Sequence, residues 1–209
     1  MNPGYIASLC LFILFVLYWM GSLEAVRKSA RKVIVGFTAA LVSGAWDIPV
    51  RPSLSINLSF LVAGFLFFYL WSREAANQRT QIFMAGLLVG TSLFLVRYLL
   101  YLDPVLQIAD LLYCQVAVSL ALTVTLARTL PEAILISTFG TLAFEVFNEV
   151  WQYTLFGSAA LGGMAFLDSL ILSTLVSAVG KAFILSLYDH AFSMYKGWLN
   201  FKKEKRAGR

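Results

Sequence analysis

Charged and amide side chains inside long apolar runs are the positions of this sequence that could do chemistry. Arg97, Asp110, Glu145, Asn148, Glu149 and Asp168 are such positions. Thr138, Thr141, Glu145, Asn148 and Gln152 recur every three or four residues, so they share one face of a helix, with Glu149 one turn from Glu145. Ionised groups at membrane depth are costly unless paired, hydrated or neutralised, which makes this cluster informative. Three readings of it are open. Arg97 pairs with one or two of the acids and the amides complete a buried hydrogen-bond network. Alternatively, the excess carboxylates bind a cation or relay protons, since hard cations take oxygen ligands. In the third reading Glu145 and Glu149 act as acid and base or hold a catalytic metal.

The catalytic reading has the fewest partners. The one histidine, His190, lies at the far end of the last apolar run, away from the acids, so no carboxylate and histidine metal site forms with them. Beside Asp189, it reads as a helix-end residue favoured by the macrodipole. Neither G-x-S-x-G nor H-E-x-x-H occurs. Cys114 lies one turn from Asp110 without a histidine to activate it. The expectation is a non-enzyme with no catalytic residue and no cofactor, and the sequence leaves a metal undecided.

The elements that carry these groups follow from composition. Of 209 residues 60% are hydrophobic and 13% charged, with a mean hydropathy of +0.80, against about 45–50% and about 25% in soluble domains. That excludes a water-soluble globule. Cys10 and Cys114 both sit in apolar runs and make no disulfide framework. A helix needs roughly 20 mainly apolar residues to cross a hydrocarbon core of about 30 Å. Seven stretches meet that need: 5–22, 33–49, 55–72, 82–102, 105–127, 132–156 and 161–188, the second interrupted by Trp46, Asp47 and Pro49. The first reads as a span rather than a removable signal peptide, since no basic n-region precedes it. Asp103-Pro104 reads as the start of the fifth helix, and Thr129, Pro131 and Glu132 as the start of the sixth.

The fold class predicted is therefore all-α, a polytopic bundle of seven transmembrane helices over residues 1–195 with a basic tail over 196–209. Lysine and arginine are retained on the cytoplasmic side of short loops. Odd-numbered loops and the tail hold thirteen of them and the other side one, Arg51, which sets the N-terminus outside and the C-terminus in the cytoplasm. Lys202, Lys203, Lys205 and Arg206 suit anionic inner-leaflet lipids, and a short juxtamembrane tail does not suit nucleic acid. Gly86 and Gly90, with Ser169, Ser173 and Ser177 at constant spacing, read as close-packing positions, and Lys181 as a snorkelling residue near the inner end. Aromatic runs such as Phe65 to Trp71, and Trp151 at a span end, read as lipid contacts and interfacial anchors.

Three segments carry a family resemblance: Met1-Asn2-Pro3-Gly4-Tyr5 running into a span, Leu54-Ser55-Ile56-Asn57-Leu58-Ser59-Phe60 entering the third, and Tyr101-Leu102-Asp103-Pro104 between the fourth and fifth. They resemble the YphA-type (SeaA-like) multi-pass membrane proteins of spore-forming, Bacillus-like bacteria. The resemblance implies a cell-membrane protein of the forespore or mother cell that serves spore-envelope assembly, through partner proteins or a homo-oligomer. It brings no catalytic residues. A small cation- or proton-coupled carrier using the outer-half acids is the alternative.

Overall fold

The computed structural model describes residues 3–19, 27–103 and 110–207, with side chains over 3–16, 34–103, 110–188 and 190–196. The described elements run α1 (Tyr5–Trp19), α2 (Arg27–Ser43), β1 (Asp47–Arg51), β2 (Leu54–Asn57), α3 (Leu58–Trp71), α4 (Ala76–Leu102), α5 (Leu111–Leu126), α6 (Leu130–Phe156), β3 (Ala159–Leu161) and α7 (Met164–Ala207). Ala76–Leu102, Leu130–Phe156 and Met164–Lys196 are long and apolar enough to cross a membrane, and the other four helices carry shorter apolar stretches.

The all-helical expectation is corrected at one end of the bundle. β1 pairs antiparallel with β2, β2 pairs parallel with β3, and the result is a three-stranded sheet. The predicted second span stops at Ser43, and the start of the predicted third span at residue 55 falls inside β2. Asn57 explains the break. Its Oδ1 accepts from Ser59 N at 2.9 Å and so caps α3, while its Nδ2 donates to Gly44 O at 2.9 Å and to Asp47 Oδ1 at 2.8 Å. One buried amide thus joins the end of α2, the start of β1 and the start of α3.

The other helix limits follow local chemistry too. Thr129 caps α6, its Oγ1 accepting from Glu132 N at 3.4 Å while Glu132 Oε2 accepts from Thr129 N at 3.3 Å, a reciprocal capping box. Gly157 ends α6 at φ 70°, the left-handed conformation that glycine adopts without penalty. Asp103 closes α4, its N–H bonded to Leu99 O at 3.0 Å, and the N–H groups that its side chain was expected to cap lie outside the described residues. Asp110 caps α5, Oδ1 accepting from Leu112 N at 3.2 Å. Pro104, at which the fifth helix was expected to begin, lies outside the described residues, as do Ser22 at the end of the first predicted span and Glu24 in the first loop. The last helix does not end near residue 188 but runs on to Ala207, 44 residues from its start at Met164.

α4 and α6 form the closest helix pair. A Cβ on Gly90 would stand 2.8 Å from both Ala143 Cβ and Gly140 O, and one on Gly140 would stand 2.6 Å from Val89 Cγ1. The backbones can approach this far only because those side chains are missing. A Cβ on Gly86 would meet the Phe139 ring at 2.5 Å. That ring in turn stacks on Phe67, with centroids 4.7 Å apart. Phe67 is buried, so only part of the 65–71 aromatic run faces outward. Trp151, half-buried, also links two helices: it meets Tyr101 edge-on at 5.0 Å and Tyr98 at 5.8 Å, joining α6 to α4.

Candidate functional site at the sheet end of the bundle

The last turns of α6 point their acids at the backbone of the strand that follows. Glu149 Oε2 accepts from Ala160 N at 2.9 Å, and Glu145 Oε1 accepts from Gly162 N at 3.1 Å. Asn148 Nδ2 donates to Glu149 Oε1 at 2.9 Å, so both oxygens of Glu149 are engaged. All three side chains are buried. A Cβ on Gly162 would stand 2.9 Å from Phe60 Cβ, so β3 is pressed onto the start of α3 from one side while the acids hold it from the other. The helical spacing of these residues was readable in the sequence. Their partners, backbone N–H groups more than ten residues further on, were not.

The six polar residues grouped by the sequence separate into three places. Arg97 is half-buried above the Phe144 ring, 5.9 Å from its centroid. It faces Glu145 and Glu149 electrostatically but makes no hydrogen bond or ion pair to them among the described contacts. Asp110 is exposed at the start of α5 and is not part of the buried group. Asp168, on α7, accepts from Gly4 N and from Ala7 N, both at 2.7 Å. It therefore caps the start of α1, where free N–H groups and the positive end of the helix dipole favour a carboxylate.

A second polar feature runs between α5, α6 and α7. Ser119 Oγ lies 3.3 Å from Ser137 Oγ, Thr138 Oγ1 lies 3.4 Å from Thr174 Oγ1, and Thr141 Oγ1 lies 3.1 Å from Ser173 Oγ. The serine ridge of α7 is thus more than a smooth packing surface. Ser169 and Ser173 also return hydrogen bonds to Phe166 O at 2.9 Å and Leu170 O at 3.2 Å. Gln115 Nε2, Thr123 Oγ1, Ser177 Oγ and Asn148 Oδ1 are buried with no hydrogen-bond partner among the described residues. At the other end Lys181 is buried and donates to Val124 O at 3.3 Å, so the snorkelling expectation is corrected. The ammonium meets one of the last carbonyls of α5, where the helix dipole is negative.

Three cavities open at the sheet end. A cleft of about 770 Å³ lies between the β1–β2 hairpin, Gln152 and Ser158–Ala160. An apolar slot of about 390 Å³ runs beside Val146, Val150, Tyr153 and Leu161, and shares Arg51, Leu54, Glu149 and Ala159 with the cleft. The third, about 510 Å³, is walled by Arg97, Tyr101, Leu111, Trp151, Gln152 and Phe156. No cluster of three or more His, Cys, Asp or Glu is placed to hold a metal among the described residues.

A family model described as YphA-like integral membrane protein matches residues 39–208. That region contains two of the three segments that carried the resemblance, those at 54–60 and 101–104. No curated protein matches the chain, and no solved structure matches it.

Proposed function

The chain belongs to the YphA-like integral membrane protein family, and from that premise we propose a seven-span, non-enzymatic scaffold for envelope assembly. Its N-terminus is outside, its C-terminus is in the cytoplasm, and in a spore-forming bacterium its place is the forespore or mother-cell membrane. The orientation is supported by the thirteen basic residues on one side against Arg51 on the other. The scaffold reading is supported by one observation above all. Glu145, Glu149 and Asp168 are spent on backbone N–H groups, at Gly162, Ala160, Gly4 and Ala7, and so position a sheet and a helix rather than face a substrate. Envelope proteins or a second copy of the chain are the partners this reading calls for.

A cation- or proton-coupled carrier is the second reading, and the buried polar seam of α5, α6 and α7 favours it. One substitution separates the two. Glu145→Gln keeps an oxygen that accepts from Gly162 N and removes the charge. In a deletion strain of the spore former, a scaffold carrying this change restores envelope resistance as wild type does. A folded, normally abundant variant that fails to restore it defeats the scaffold reading. Loss of cation or proton flux in proteoliposomes would then establish the carrier.

A further inference from the structure

We propose that the cleft and the slot together form a binding site for a phosphate-headed amphiphile, its phosphate on Arg51 and its chain along α6. Two adjoining cavities, one almost wholly apolar and one with polar groups in its wall, are what such a molecule requires. The slot is walled by Val146, Val150, Leu161 and the Tyr153 ring, and the cleft by Gln152 and three serines beside the prolines and Val50 of the hairpin. Each volume, about 390 and about 770 Å³, falls in the range of about 300–1,000 Å³ usual for small-molecule sites.

The shared wall supplies the charge. Of its two ionisable residues, Glu149 has both oxygens bound, to Asn148 Nδ2 and to Ala160 N. Arg51 is exposed and makes no hydrogen bond or ion pair among the described contacts. Its planar guanidinium offers five donors in a fork that fits phosphate oxygens bidentately. It is also the single basic residue of the loops on that side of the membrane.

Depth completes the match. The slot lies against the last three turns of α6, where Val150 and Tyr153 are exposed on a helix long and apolar enough to span. The cleft starts beside the same turns, at Glu149 and Gln152, and extends past the helix end to Ser158–Ala160 and the β1–β2 turn. A lipid already in that leaflet therefore has its chain at slot level and its phosphate at cleft level, with Tyr153 at the boundary where tyrosine is favoured. A free phosphate would use the cleft and leave the slot without a purpose. The site needs only the sheet end at a membrane surface, and its failure would leave the scaffold reading intact.

The test uses the full chain in phosphatidylcholine nanodiscs, with binding followed by native mass spectrometry. The probes are phosphatidylglycerol, diacylglycerol with the same chains, and glycerol 3-phosphate. Phosphatidylglycerol is expected to bind about tenfold more tightly than either of the others, the scale of one charge-assisted interaction. Arg51→Gln should reduce it to the diacylglycerol level, Arg51→Lys should retain part of the preference, and Val150→Trp should fill the slot and lower binding of both lipids. Both positions are exposed, so these variants are expected to fold, as circular dichroism would verify. Equal binding of phosphatidylglycerol to wild type and Arg51→Gln overturns the proposal. So does equal binding of phosphatidylglycerol and diacylglycerol, or glycerol 3-phosphate matching the lipid, which would reassign the cleft to free phosphate.

Discussion

Replacing Asp168 should detach α1 from the bundle. Its two carboxylate oxygens accept from Gly4 N and Ala7 N at 2.7 Å each, and the residue is 7% exposed. Hydrogen bonds to a charged group contribute about 1.5–3 kcal/mol each. In Asp168→Ala the two N–H groups recover part of that from water at the bundle end, so the net cost is about 3 kcal/mol. Asp168→Asn retains one accepting oxygen and should cost about half as much. Reversible unfolding in mixed micelles measures the global loss, and hydrogen exchange places it. The amides of Ser8 to Leu11 should exchange about a hundredfold faster in the alanine variant, with those of α4 and α6 unchanged, as expected for a local opening. An alanine variant with wild-type unfolding and wild-type exchange in α1 would show that the α7 to α1 bonds hold nothing together.

Gly90→Ala should cost about 1–3 kcal/mol by forcing α4 from α6, whereas Gly64→Ala, whose Cβ would meet nothing within 4 Å, should be neutral; paired unfolding curves check both. Lys181→Met should cost about 1 kcal/mol by taking the donor from the carbonyl of Val124, and wild-type stability would show the ammonium to be already solvated. Asn57→Ala removes three hydrogen bonds at one junction and should loosen the hairpin, read as faster exchange at Ile48 and Ile56, which are paired across β1 and β2.

Features written into a few neighbouring residues were readable from the sequence. Thr129 and Glu132 announce the start of α6 because both halves of the capping box lie three residues apart. The polar face of α6 and the close-packing glycines of α4 follow from helical period and residue size. What escaped is contact between distant segments. Leu54-Ser55-Ile56-Asn57 is short and half apolar, and reads as the approach to a span. It becomes a strand because Ala159–Leu161, a hundred residues on, lies beside it in parallel. Likewise, carboxylates at Glu145, Glu149 and Asp168 suggest cationic partners, since side-chain spacing carries no sign of the backbone amides that they hold. Trp151 shows the same limit: a tryptophan at a span end carries no sign of its edge-on contact with Tyr101.

The length of α7 has a mechanical consequence. At about 1.5 Å per residue, its 44 residues make a rod of roughly 66 Å. Crossing a bilayer with its headgroups takes about 40–45 Å. Roughly 20 Å of stiff helix then projects into the aqueous phase beyond the lipid. Standing upright, it lifts Lys202 to Arg206 away from the lipid surface, past the Debye length of about 8 Å at physiological salt. The tail can lie on lipid only by tilting the rod, and a tilt reaches Asp168 and the start of α1 at the opposite face. Leverage applied at the C-terminal tip is thereby delivered across the membrane, along one continuous element.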